Sequence, residues 1–103
     1  MIVVRRDIVE EYLRQAAGSK GIAATRRAYQ AWFAVASASQ WRTPMHVKRS
    51  HPKVSVLKGG RIVFNIKGND YRLVAQVNYQ AGTVEIRFFG THAEYDNIDA
   101  EMI

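Results

Sequence analysis

A chain of 103 residues, 48% of them hydrophobic, can bury one core and is too short for two. The absence of cysteine excludes a disulfide scaffold and a thiolate metal site, and it suits a reducing compartment. With 15 Lys and Arg against 9 Asp and Glu, the net charge of +6 and pI near 10.0 favour a polyanionic partner: nucleic acid, an acidic protein or a membrane surface. Met1 to Asp7 has no apolar stretch behind its charges, and no segment is long enough to span a bilayer, so the expected location is cytoplasmic, without a membrane partner.

Ile2-Val3-Val4 reads as a short edge strand. From Asp7, an N-cap residue type, Ile8, Val9, Tyr12, Leu13 and Ala16 recur at helical spacing until Gly18-Ser19 stops them. A second helix is expected from Gly21 to about Ala38, with Ala24, Ala28, Trp32, Val35 and Ala36 along a side that Tyr29 and Phe33 widen. Its alanines favour helix and allow close approach to a sheet. Thr43-Pro44 has the form of an N-cap and first helical residue, opening a short helix through Arg49 that His51-Pro52 ends. Val54 to Leu57 reads as extended.

From Gly60 the period changes to two. Ile62, Phe64 and Ile66 alternate with Arg61, Asn65 and Lys67, which marks a strand with one buried face. After the turn residues Gly68-Asn69-Asp70, the run Tyr71 to Tyr79 puts Tyr71, Leu73, Ala75, Val77 and Tyr79 on one phase and Arg72, Val74, Gln76 and Asn78 on the other. Beyond Gln80-Ala81-Gly82, the same alternation predicts Val84, Ile86 and Phe88 inward and Glu85, Arg87 and Phe89 outward. Thr91 followed three residues later by Glu94 has the form of a capping box opening a short C-terminal helix. The expected architecture is a single α+β domain over residues 1–103, an antiparallel sheet with its helices on the apolar face. Its outer face would collect Arg61, Lys67, Arg72 and Arg87, a surface suited to RNA.

The segments Gly60 to Val74 and Gly90-Thr91-His92-Ala93-Glu94-Tyr95-Asp96, with Trp41 and Thr43-Pro44 ahead of them, resemble the hallmark blocks of HigB-type toxins in the RelE/ParE superfamily. The resemblance implies a RelE-like fold and a toxin of a type II toxin-antitoxin module, acting as a ribosome-dependent mRNA endonuclease. It also implies a helix-turn-helix antitoxin of HigA type as partner, mRNA in the ribosomal A site as substrate, and cleavage without metal or other cofactor. Relatives of the ParE branch instead poison gyrase without catalysis, so a non-catalytic inhibitor or a binding module is the alternative.

Metal-free cleavage needs a base for the ribose 2′-OH, cationic donors for the phosphorane and an acid for the departing 5′-oxygen. The candidates are Arg72 and Arg87 for paired hydrogen bonds to phosphate, Lys67 for charge at the cut, and His92 for proton transfer. Tyr95 is either a stacking or phosphate-binding group or a packing residue, and His92 either a catalyst or a neighbour of the Thr91 cap. Asn65 and Asn69 are candidates for base or sugar contact, although turn chemistry also accounts for Asn69. Arg61, Lys58, Lys48, Arg49 and Lys53 form a second basic group suited to ribosomal RNA backbone. His46 and His51 flank a helix end with no third ligand near, which argues against zinc.

Overall fold

Where the sequence sets its turns, the chain reverses: β3 (Arg61–Ile66), β4 (Tyr71–Asn78) and β5 (Thr83–Thr91) follow one another as an antiparallel meander. In the computed structural model, which describes residues 1–103, they are preceded by β1 (Ile2–Val4), α1 (Asp7–Gln15), α2 (Ile22–Ala38), α3 (Pro44–Ser50) and β2 (Ser55–Val56), and followed by α4 (His92–Tyr95). The sheet runs β1-β5-β4-β3-β2. β1 is the edge strand the sequence implies, but it pairs with β5 in parallel, so the sheet is mixed rather than wholly antiparallel. Parallel pairing needs a long crossover between the two strands, which the helices between β1 and the meander supply. No helix is long and apolar enough to cross a membrane.

The helices pack on one face of the sheet. α1 buries Val9 and Leu13, and α2 buries Thr25, Tyr29, Trp32 and Ala36 against Phe64, Leu73, Ile86 and their neighbours. Thr25 is tolerated there because its hydroxyl donates to the Gly21 carbonyl at 3.1 Å. Centring the stripe on Thr25 turns Val35 outward, where it is 44% exposed, against the expectation that it faces the sheet. Asp7 is the first helical residue rather than the cap, and its carboxylate meets Arg5 at 3.0 Å. Thr43 does cap α3, its hydroxyl accepting from the His46 amide, with Pro44 at the first position. Trp41, just ahead, stacks on Phe64 and donates to the Ser50 hydroxyl.

Two features depart from strict alternation. Ala75 pairs with Ile86 while Val74 pairs with Phe88, leaving Arg87 as the extra residue of a β-bulge. Beyond it the phase inverts: Phe89 enters the main core and Phe88 turns to the other face, the reverse of the sequence expectation. The outer face is also not an open polar surface. Val63, Val74 and Ala100 form a second buried cluster with Leu57, Phe88, Tyr95, Ile98 and Ile103, so the segment after α4 lies over the middle of the sheet.

Candidate active site

At the β3–β4 end of the sheet, Lys67 takes a left-handed φ of 56° and Gly68 one of 64°. That conformation is uncommon outside glycine, and here it bends the chain so that the Asp70 amide closes on the Lys67 carbonyl at 3.2 Å. The turn lies beside the start of α4, because the His92 amide donates to the Asp70 carbonyl at 3.0 Å. Between them lies a shallow cleft lined by Lys67, Asn69, Tyr71, Thr91 and His92, with Lys20 from the α1–α2 loop on its rim. Lys67 spans toward that loop: its Nζ lies 3.4 Å from the Gly21 carbonyl and 3.9 Å from Asp70.

His92 is exposed, and its Nδ1 lies 3.2 Å from an Asp96 carboxylate oxygen one helical turn on. A carboxylate there favours the Nδ1–H tautomer and leaves Nε2 free to accept or give a proton. The helix that opens at His92 and has Asp96 as its C-cap begins with a complete capping box: the Thr91 hydroxyl accepts from the Glu94 amide, and the Glu94 carboxylate accepts from the Thr91 amide. The Thr91 amide, with the Tyr12 hydroxyl second, holds the Glu94 carboxyl below its usual range. The stability this contributes is present above the ordinary carboxylate pKa and is lost as pH falls through the lowered one.

Lys67, Asn69 and His92 are therefore brought together, whereas the other candidates lie elsewhere. Arg72 is nearly buried, contrary to the open position expected of it. Its guanidinium donates to the Asn69 carbonyl, the Asn69 side-chain oxygen and the Tyr71 carbonyl at 2.7–3.1 Å, supporting the turn from below. Arg87 is exposed at the bulge and pairs with Glu85 at 3.1 Å. Tyr95 is half-buried beside Phe88. Asn65, opposite Arg72 in the register, lines a different cleft with Lys53 and His51.

Arg61 is not free to meet RNA. It donates to Gln76 and to the carbonyls of Ala100 and Ile103, clamping the final segment to the sheet. The Lys58 amide bonds to Glu101, while Lys48 and Arg49 project from the last turn of α3. His46 Nδ1 accepts from the Arg42 amide, and His51 packs edge-on against Trp41 and Phe64, where burial lowers its pKa. No group of three or more His, Asp or Glu side chains is placed to hold a metal ion.

Sequence reasoning missed Asp96 and Lys20. The His92-to-Asp96 spacing of four on a helix was a readable signal, but nothing local marks Lys20, whose relation to Lys67 depends on how two loops meet.

Arg72→Ala is expected to destabilise the fold by about 2 kcal/mol, because charge-assisted bonds to a turn are lost and the Asn69 carbonyl is left without its donor. Arg72→Lys should recover less than half, since one ammonium cannot reproduce the forked contact. Urea unfolding of the three proteins measures both, and equal stability of Arg72→Ala and the parent would show that the buried guanidinium does not hold the turn.

No curated protein matches this chain. The sequence model of the family described as HigB_toxin, RelE-like toxic component of a toxin-antitoxin system, matches residues 25–98, a span that takes in all but the first turn of α2, the whole meander and α4. With the match covering well over half the chain and including every residue of the cleft except Lys20, the protein belongs to the HigB toxin family, the RelE-like toxic component of a toxin-antitoxin system.

Proposed function

We propose that this toxin is an mRNA interferase that cuts translated message on the ribosome without a metal cofactor. The observation that carries the reading is His92, oriented by Asp96 and seated beside Lys67 at the mouth of one cleft. In the proposed reaction the ribose 2′-OH attacks the adjacent phosphorus as the P–O5′ bond breaks. One proton leaves the 2′-oxygen and one reaches the 5′-oxygen, giving a 2′,3′-cyclic phosphate and a 5′-hydroxyl end. His92 carries one of these protons, and Lys67, with Lys20 beside it, offsets charge on the phosphorane. Asn69 contacts the sugar or base while Arg72 keeps its turn in place and adds positive potential from beneath.

The remaining candidates take supporting roles in this reading. Arg87 contacts phosphate away from the cut, and Tyr95 shapes the wall of α4 next to the RNA. Asn65 with Lys53, and Lys48, Arg49 and Lys58 nearby in sequence, meet RNA backbone, for which placed positive charge is sufficient. Arg61 contributes by ordering the segment that covers the sheet. A helix-turn-helix antitoxin neutralises the toxin in the cytoplasm.

The test is cleavage of ribosome-bound message by purified protein in a reconstituted system, with ribosomes kept intact and the cleavage step challenged with EDTA. Cleavage should persist, and end-group analysis should find a 2′,3′-cyclic or 3′-phosphate. A 3′-hydroxyl product or strict Mg²⁺ dependence of the step would overturn the mechanism, and growth arrest without any cut would assign the toxin to the non-catalytic class.

A further inference from the structure

α4 has four residues, too few to hold a helical direction by itself, so the orientation of His92 must come from contacts made to the rest of the fold. One is the His92 amide on Asp70, and another is the Thr91 cap. A third reaches across the molecule. Glu94 Oε1, which accepts from the Thr91 amide at 2.7 Å, also accepts from the Tyr12 hydroxyl of α1 at 2.7 Å.

The geometry around this bond is restrictive. The Tyr12 ring meets Phe89 edge-on at 5.2 Å and Tyr71 at 6.1 Å, and those two rings stack on each other. Its hydroxyl is thereby aimed by aromatic packing that the core fixes. On the other side, Gly90 leaves the room that the carboxylate occupies: a Cβ at that position would lie 3.0 Å from Glu94 Oε1 and 2.7 Å from Phe88 Cζ. Tyr12 also precedes the segment that the family model matches, so this link ties α4 to a helix outside residues 25–98.

We propose that Tyr12 and Glu94 are positioning residues for His92, a tether from α1 that fixes the direction of α4 and with it the imidazole and its Asp96 partner. The inference rests on the proposed ribonuclease reading of the same cleft, and it gives Glu94 no proton to move. The carboxylate is occupied by two donors and stays ionised in the neutral range, since both of those bonds lower its pKa. Its nearness to His92 in sequence would otherwise suggest a general base.

The experiment compares Tyr12→Phe, Glu94→Gln and Glu94→Ala with the parent by steady-state and single-turnover cleavage of ribosome-bound message and by NMR of the His92 ring nitrogens. Tyr12→Phe keeps the ring packing and removes only the hydroxyl. It is expected to lower kcat by about tenfold with KM nearly unchanged, as displacement of a reacting group by a fraction of an ångström does. Its His92 nitrogens should shift toward the average of two tautomers. Glu94→Gln, whose amide oxygen can still accept, should lose much less than Glu94→Ala. Unchanged kcat together with unchanged His92 signals in Tyr12→Phe would overturn the proposal, as would a change confined to KM. Glu94→Gln as inactive as Glu94→Ala would also overturn it, by assigning the carboxylate to the chemistry. Should the parent not cut message at all, the ribonuclease reading falls, and the ring signals of Tyr12→Phe still decide whether the tether positions His92.

Discussion

His92→Gln is expected to slow single-turnover cleavage of ribosome-bound message by about 10²–10⁴-fold, the range that a positioned acid or base supplies, while ribosome pelleting stays close to that of the parent. Glutamine can still hydrogen bond, but it does not titrate near neutral pH. The side chain is exposed, and its replacement removes no buried group, so folding should be retained, which circular dichroism checks. Asp96→Asn should cost less, because it weakens the orientation of the ring without removing it. Full cleavage by folded His92→Gln protein would move proton transfer to another group of the cleft or to the ribosome. A loss of pelleting equal to the loss of cleavage would make His92 a binding residue instead.

The largest effect on stability is expected from Phe89→Ala. Phe89 is 4% exposed and lies among Tyr12, Tyr29 and Tyr71, with ring centroids 5.2–6.4 Å apart. Truncating an aromatic so enclosed costs about 3–5 kcal/mol. In a domain of this size each kcal/mol moves Tm by about 4–8 °C, so the midpoint should fall by more than about 10 °C. Phe88→Ala, one residue earlier, removes a half-buried ring from the smaller cluster over Val63 and Val74, for about 1–2 kcal/mol. The order of the two losses is the decisive result. Simple alternation along β5 would make Phe88 the costlier loss, and only the bulge at Arg87 makes it Phe89; the reverse order in urea melts would mean that the register has no bulge there.

Local signals were legible in this sequence wherever cause and effect lie within about one turn of chain. Thr43-Pro44 and Thr91 with Glu94 capped the helices as read, because a side chain three residues from the amide it accepts meets it in any context. Alternation gave β3 and β4 their inward residues, and the two hallmark blocks carried the family. Tertiary structure decided what those elements meet. Arg72 and Arg61 carry the same charge in sequence as Arg87, yet one is spent on the β3–β4 turn and the other on the final segment, since desolvated guanidinium groups must find carbonyl partners that only the folded chain supplies. The bulge at Arg87 shifts the phase of β5 by one residue, and an extra residue has no mark in a pattern of period two. The cleft itself depends on three segments that are distant in sequence, around Lys20, Lys67 and His92. Lys20, Lys67 and His92 converge because helix and sheet packing brings their backbones together, and the Tyr12 bond to Glu94 spans 82 positions for the same reason.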